Sequence, residues 1–186
     1  GKLHKVREML AMKWGNLINR CCASKFNLCR AVSKYSSVEN VEAIGVIFGN
    51  EPEVKSRLTQ LFIDVGKLPE LLDQSISSFQ GRAALRAIWS LIDDANTFIQ
   101  ISEPWTRNEI QQDAIIYTCM ELSRIISILC QPIIPDMANS LLDRIDVAKS
   151  KRTLAYAIAN SDSSYGRMSN SKGRQAPIKR LAKRTE

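Results

Sequence analysis

The sequence predicts an all-α protein, and three observations support this. Apolar side chains recur at the three- and four-residue spacing of amphipathic helices along most of the 186 residues. No stretch of useful length alternates between apolar and polar side chains as a half-buried strand does. Prolines and capping residues stand where the helical patterns begin or end. Short connections between about five to seven predicted helices are typical of a helical bundle.

Residues 81–105 are predicted to form the long helix around which the bundle packs. Two adjacent apolar stripes cover much of its circumference, so we expect neighbours on more than one side. Asn96 falls within the first stripe, where a buried amide needs a partner, and we expect a core hydrogen bond to a neighbouring helix. The residue before Pro104 is pushed off helical geometry, so Trp105 is expected just beyond the helix end. The stripes comprise Leu85, Ile88, Trp89, Ile92, Ala95 and Ile99, then Ala84, Ala87, Leu91 and Phe98.

The first helix is predicted over residues 2–34, with Trp14 on its apolar stripe. Asn16 and Arg20 lie away from that stripe. Because they are four residues apart, their side chains are separated by about 40° around the helix and can act on one target. Spacing alone leaves a second interpretation open, in which the two are an exposed polar pair without a role.

The remaining helices are predicted from capping and helix-breaking residues. Gly66 is expected to break a helix that restarts at Pro69, a favoured first-turn residue. Asn108 is a favoured N-cap, and Pro132 is expected to end the helix that follows it. After a loop at 36–39, the predicted segments are a short helical turn at 41–48 and helices over 53–65, 69–79, 109–130 and 135–145.

The composition changes after Ala148, which predicts a helical domain over 1–148 and a basic tail over 149–186. Within the tail, residues 149–160 are compatible with a helix. The segment 161–176 is rich in Ser, Gly and Asn, as a linker is. Residues 178–184 form a short basic segment that could become helical on docking.

Charge is distributed unevenly along the chain. The net charge is +7 over residues 1–34, −8 over 35–148 and +8 over 149–186. Solvated faces are one explanation for the two basic ends, and a bound phosphate backbone is another.

The cysteine and histidine content argues against several kinds of site. Five cysteines, an odd number, occur without a Cys-x-x-Cys pair, and His4 is the single histidine. This pattern argues against zinc and fits a reducing compartment. No nucleophile motif points to a hydrolase, so we predict no catalytic, cofactor-binding or metal-binding residue. No apolar stretch approaches the roughly 18 residues of a membrane span.

Three motifs carry a resemblance to a known family. They are Trp14-Gly-Asn-Leu-Ile-Asn-Arg20, then Ala95-Asn-Thr-Phe-Ile-Gln-Ile-Ser-Glu-Pro-Trp105, then Ile128-Leu-Cys-Gln-Pro-Ile-Ile-Pro135. In this order and spacing they resemble the C-terminal anticodon-binding domain of methionyl-tRNA synthetases, over residues 10–145. The stretch Lys25-Phe-Asn-Leu-Cys-Arg-Ala31 most resembles fungal mitochondrial members.

The resemblance implies a helical bundle of the class I aminoacyl-tRNA synthetase anticodon-binding type. It implies that Asn16 and Arg20 bond to the leading cytosine of the CAU anticodon, and that Trp105 stacks on an anticodon base. The implied partners are the tRNA(Met) anticodon loop and the enzyme's own catalytic domain, with no DNA and no membrane. ATP is implied as a requirement of the parent enzyme, not of this piece, and the mitochondrial matrix as its location, with the cytoplasm as the alternative.

Some residues depart from the family pattern. Gln100 stands where many members carry an acid. Residues 167–173 resemble the Lys-Met-Ser-Lys-Ser loop of these enzymes, but they follow the anticodon domain instead of preceding it, so we interpret them as coincidence. The tail could contact tRNA or the catalytic domain. Two other functions stay open: a helical scaffold that binds proteins, and the bundle of a class I synthetase for another amino acid.

Overall fold

A computed structural model of the chain describes residues 1–37, 41–77 and 81–167. This part contains α-helices and 3-10 turns and no strand, which confirms the all-α prediction. The 3-10 turns are Val46–Phe48, Pro104–Thr106, Lys149–Lys151 and Leu154–Tyr156. The helices are α1 (Lys2–Cys21), α2 (Leu28–Tyr35), α3 (Val41–Gly45), α4 (Pro52–Ser77), α5 (Gly81–Ser102), α6 (Glu109–Cys130) and α7 (Pro135–Arg144).

The centre of the bundle is α6, not the helix at 81–105 that the sequence predicted. Every side chain from 113 to 130 is buried, and α1, α2, α4, α5 and α7 pack around it. By contrast, α5 has a solvent face that includes Arg86 and Ser90. The polar residues of α6 concealed its position from the apolar pattern. Thr118 and Ser123 donate to carbonyl oxygens one turn back, at 2.8 and 2.9 Å, so they are buried without unpaired hydroxyls.

The predicted single helix over 2–34 is wrong, because the chain turns between α1 and α2. Asn27 is the cause: its side chain accepts a hydrogen bond from the backbone N–H of Arg30 at 2.9 Å and caps α2. The new direction brings Arg30 and Lys34 to the buried carboxylate of Asp113 on α6, at 2.7 and 3.1 Å. An ion pair therefore fixes α2 against the central helix.

The predicted break at Gly66 is also wrong, since α4 runs through both Gly66 and Pro69. Gly66 is on the solvent side, and space for a side chain is open around it. Glycine and proline cost about 1 and 3 kcal/mol in a helix interior. Burial of apolar side chains on both sides of the two residues, among them Leu61, Val65, Leu68 and Leu72, offsets that cost.

Other predicted boundaries are close to those observed. The turn at 41–48 is α3 followed by a 3-10 turn, Asn108 caps α6 through the backbone N–H of Gln111, and α7 begins at Pro135. The expected end of a helix at Phe79 lies outside the described residues. So do residues 168–176 of the predicted linker, the basic segment 178–184 and most of the 167–173 motif.

Residues 149–167 pack against the bundle. The expected helix over 149–160 is wrong, because this stretch forms two 3-10 turns that leave Leu154 and Ile158 exposed. Residues 161–167 differ from the expected linker, since Tyr165 is buried. Gly166 has φ +84°, and a Cβ there would lie 2.8 Å from Leu28 Cγ, so only glycine fits without a shift. The predicted domain boundary after residue 148 stays a prediction.

A buried cluster attaches this segment to the bundle, and it consists of Glu121 and Arg124 from α6 and Tyr165 from the segment itself. Arg124 binds the Glu121 carboxylate through two nitrogens, at 2.7 and 2.8 Å. It also donates to the carbonyl oxygens of Tyr156 and Ile158, at 2.5 and 3.0 Å. Burial alone would lower the pKa of Arg124, but the Glu121 carboxylate outweighs it and the pKa is raised. Burial raises the pKa of Tyr165, whose hydroxyl stays protonated and donates to Glu121 at 2.9 Å.

Candidate nucleic-acid interface

The two predicted polar residues of α1 lie together on its outer side. Trp14, Leu17 and Cys21 turn into the core with no exposed area, while Asn16 is exposed and Arg20 is half-buried. Both line a cavity of about 650 Å³ between α1 and α5, which we call the α1–α5 cavity. Its walls include Asn19 from α1 and Asn96 and Gln100 from α5. The lining is therefore rich in amides, which offer both donors and acceptors.

Arg20 is held across this cavity by a single long hydrogen bond. Its Nη1 donates to Asn96 Oδ1 at 3.4 Å, and within the described residues this is the one hydrogen bond of the Arg20 side chain. Asn96 in turn donates to the Ile92 carbonyl oxygen at 3.1 Å and to that of Lys13 at 3.5 Å. The expected bond from Asn96 to a neighbouring helix is confirmed, but the side chain is half-buried at the cavity wall and not in the core. A guanidinium carries five N–H donors, so most of those on Arg20 are available to a ligand.

Trp105 lies just beyond the end of α5, as predicted. The helix stops at Ser102, and Glu103 takes a left-handed conformation with φ 49° that redirects the chain into the turn Pro104–Thr106. Pro104 is buried, whereas Trp105 is 41% exposed. Gln112 of α6 donates to the Pro104 carbonyl oxygen at 2.9 Å. The backbone at Trp105 is thus fixed while its ring stays accessible.

A second anchor holds the same turn. Arg107 donates through Nε to the Ser102 carbonyl oxygen at 2.8 Å and forms a bidentate ion pair with Glu51, at the start of α4. Hydrogen bonding to Arg107 lowers the pKa of the Glu51 carboxyl. The hydrogen bond that Arg107 donates to Glu51 likewise raises the pKa of Arg107. The pair fastens the turn to α4.

Arg20 connects the α1–α5 cavity to a smaller cavity beside Trp105. This second cavity has a volume of about 250 Å³, and Arg20 and Trp105 are both in its lining, with Phe26 and Ile99. Lys25 also lines it, and its Nζ lies 5.8 Å from the centroid of the Trp105 ring. The structure therefore brings Asn16, Arg20 and Trp105 onto one continuous surface, with Arg20 in the middle. We call this surface the Arg20 surface.

Two cationic residues of this region were not singled out from the sequence. Lys13 forms an ion pair with Asp93 at 2.7 Å, and its Nζ lies 4.6 Å from the centroid of the Trp89 ring. Lys25 follows the end of α1. Trp14 and Trp89 both lie on apolar stripes, which predicts that both are buried, but Trp89 is only half-buried. Lys13 precedes Asn16 by three residues on α1, so helical spacing could have placed it on the same side, whereas Lys25 lies beyond α1, where helical spacing gives no signal.

Two absences hold within the described residues. No group of three or more His, Cys, Asp or Glu side chains in residues 1–37, 41–77 and 81–167 is arranged to hold a metal ion. In the same ranges, none of the helices combines the length and apolar character that crossing a membrane requires.

A helical bundle that presents amide, guanidinium and indole groups on one open surface has the chemistry of an RNA-binding domain. Comparison with known proteins gives the family. The sequence model described as the anticodon binding domain of methionyl tRNA ligase matches residues 53–166, and the chain belongs to this family. The match includes Trp105, whereas Asn16 and Arg20 precede it.

Several similar proteins are named methionine–tRNA ligases. The chain is 53% identical over 97% of its length to a mitochondrial methionine–tRNA ligase of Saccharomyces cerevisiae, and 31% identical over 98% to one of Candida albicans. It covers 31% and 35% of those proteins. A crystal structure of Mycobacterium tuberculosis methionyl-tRNA synthetase bound by methionyl-adenylate aligns over 54% of this chain and 21% of that one, at 26% identity and a TM-score of 0.52. The resemblance to fungal mitochondrial synthetases is confirmed.

Proposed function

We propose that this chain selects tRNA(Met) by its CAU anticodon for a methionine–tRNA ligase. In this proposal the Arg20 surface binds the anticodon loop. The parent enzyme, of which the chain is a part, then attaches methionine to the tRNA and consumes ATP in doing so. Membership of an anticodon-binding family supports tRNA as the ligand. The family is described as a domain of methionyl tRNA ligase, which supports methionine as the amino acid.

Each of the three side chains has a chemical role in the proposal. Arg20 donates to the carbonyl oxygen and to the unprotonated ring nitrogen N3 of the leading cytosine, where uracil carries an N–H instead, while the Asn16 amide offers a donor and an acceptor to the same base edge. Trp105 provides a stacking face for an anticodon base. An unpaired RNA loop exposes both the edges and the faces of its bases, so these residue types suit it.

One observation carries the proposal, namely the position of Arg20 between the two cavities. It lines the amide-rich cavity with Asn16 and the apolar one with Trp105. The site for a base edge at Asn16 is therefore adjacent to the site for a stacked base at Trp105. Arg20 is also tethered weakly, by one 3.4 Å bond, so little is lost when it turns to a ligand.

The parent enzyme and its location are part of the proposal. We expect the chain to work beside the catalytic domain of its own enzyme and to position the bound tRNA for it. We expect the mitochondrial matrix as its compartment, because the similar proteins of Saccharomyces cerevisiae and Candida albicans are named as mitochondrial ligases.

Binding to RNA hairpins tests the proposal. The 186-residue chain should bind an anticodon stem-loop carrying CAU more tightly than one carrying UAU, by roughly tenfold or more at fixed salt, since one well-placed base contact is worth about 1–3 kcal/mol. The two hairpins have the same stem sequence and differ only in the first anticodon base. Equal affinity for the two hairpins would reject selection by the cytosine. A scaffold that binds proteins should bind neither hairpin selectively.

A further inference from the structure

A second groove, between the N-terminal parts of α1 and α5, is separate from the Arg20 surface. Its volume is about 650 Å³, and its cationic lining consists of Lys2, Arg82 and Arg86. Arg82 and Arg86 are four residues apart, so their side chains leave α5 on the same side. Both arginines are exposed, and neither forms an ion pair within residues 1–37, 41–77 and 81–167. These cations are therefore available to an external anion.

The groove continues the α1–α5 cavity. Asp93 lines both of them. Lys13 lies where the two meet, because it pairs with Asp93 and lies over the Trp89 ring. The exposed part of Trp89 lines the groove. From Asn96 to Arg82 the surface follows α5 for about 21 Å, at 1.5 Å per residue. A ligand bound at Asn96 can therefore extend along α5 to the arginines.

The charges of the groove are separated along its length. Its two carboxylates, Asp93 and Asp94, lie towards the α1–α5 cavity, whereas Arg82 and Arg86 lie at the far end. Lys13 offsets Asp93 at 2.7 Å. Asp94 also faces Asp64, on α4. A polyanion that runs along α5 is therefore attracted chiefly at the far end.

We propose that this groove binds the sugar–phosphate backbone of the tRNA beside the anticodon, with Arg82, Arg86 and Lys2 contacting phosphates. The inference rests on the proposed function, because it places the same RNA on a neighbouring surface. Charge complementarity and continuity with the α1–α5 cavity favour RNA over another protein segment as the occupant. Phosphate contacts fix the position of a nucleic acid without reading its sequence. The groove would thus orient the tRNA while the Arg20 surface reads it.

The test is the double variant Arg82→Ala/Arg86→Ala, with binding measured on the CAU and UAU hairpins across a range of salt concentrations. We expect the affinity for both hairpins to fall by about fivefold to tenfold at low salt, and the slope of log affinity against log salt to decrease by about one to two. The ratio of CAU to UAU affinity should not change. The thermal midpoint should stay near that of the unmodified chain, because both side chains are exposed.

Two control variants sharpen the test. Lys55→Ala/Lys149→Ala removes the same charge from exposed positions that line neither the groove nor the cavities next to it, and it should leave the affinity and the salt slope nearly unchanged. Arg82→Lys/Arg86→Lys keeps the charge and should retain most of the affinity.

Three results would overturn the inference. The first is an unchanged affinity and salt slope in the Arg82→Ala/Arg86→Ala variant, which would leave the groove to a segment of protein. The second is an equal loss in the Lys55→Ala/Lys149→Ala control, which would mean that only overall charge matters. The third is a loss confined to the CAU hairpin. None of these results bears on selection of CAU by the unmodified chain, so the proposed function and this inference fail separately.

Discussion

Two arginines in this bundle, Arg124 and Arg20, differ in how many of their N–H donors have a hydrogen-bond partner. Arg124 has no exposed area, and it is bound by Glu121 and by the carbonyl oxygens of Tyr156 and Ile158. Arg20 is half-buried, and within the described residues it makes one 3.4 Å hydrogen bond, to Asn96. Each has an aromatic residue nearby, Tyr165 in the first case and Trp105 in the second.

This difference distinguishes an arginine that stabilises the fold from one that can bind a ligand. A charge removed from water is tolerated only when its donors are matched, as they are at Arg124. A guanidinium at the edge of an open cavity with most donors unmatched can bind a ligand with little loss of internal bonds. We therefore assign Arg124 to stability and Arg20 to recognition, and the predictions below test that division.

The largest effect is expected at Arg124. Replacement by Met leaves the buried Glu121 carboxylate without its positively charged partner, which typically costs about 3–5 kcal/mol of unfolding free energy. Arg20→Met is the matched control and should unfold close to the unmodified chain. Chemical denaturation of the two variants provides the measurement. Equal stabilities would contradict the division between the two arginines.

The tryptophans should divide in the same way. Trp14 has no exposed area, so Trp14→Ala should cost about 3–5 kcal/mol of unfolding free energy. Trp105→Ala should melt near the unmodified chain and lose roughly tenfold or more in affinity for the CAU hairpin, because stacking is worth about 1–3 kcal/mol per base. Trp89→Ala should fall between them in stability, since Trp89 is half-buried. If Trp105→Ala is as unstable as Trp14→Ala and binds RNA normally when folded, Trp105 closes the end of the bundle and is no stacking platform.

The fold class and most helices could be predicted from the sequence, because amphipathic periodicity and capping residues act locally. Three features were not predicted. Gly66 and Pro69 are local breakers, but apolar packing on both sides of them keeps α4 continuous. Asn27 could have been recognised as a cap, since its bond from the backbone N–H of Arg30 is local, but the apolar pattern of the predicted long helix continues past it to Leu28. The burial of α6 depends on polar residues paired by tertiary contacts, which no apolar pattern shows.

The candidate site divides in a similar way. Asn16, Arg20 and Trp105 could be proposed from motifs, and the structure places them on one surface. Asn96 was assigned to the core because its position on α5 falls within an apolar stripe. Its place at the cavity wall depends on how α1 crosses α5. Lys25 joins the region because of the way the chain turns after α1, whereas Lys13 shares one side of α1 with Asn16 and Arg20 and could have been found from spacing.

The smallest effect is expected at the anchor of the Trp105 turn. The pKa of Glu51 is lowered from its ordinary value of 4.5 by Arg107, so the pair stabilises the fold above that pH and its contribution disappears as the pH falls through the lowered pKa. Glu51→Gln should therefore lower the unfolding free energy at pH 7 by no more than about 1 kcal/mol, which appears as a slightly lower thermal midpoint. The difference between the two proteins should vanish in acid. A difference that persists or grows in acid would show that the charge of Glu51 is not what holds the turn.

The most direct test of recognition by Arg20 combines a variant with a base change. The affinities of the unmodified chain and of Arg20→Ala are measured for the CAU and UAU hairpins at one salt concentration. If Arg20 reads the cytosine, Arg20→Ala should lose about 1–3 kcal/mol of discrimination between the two hairpins, with its thermal midpoint nearly unchanged. An Arg20→Ala protein that prefers CAU as strongly as the unmodified chain would contradict the assignment of Arg20 to base recognition.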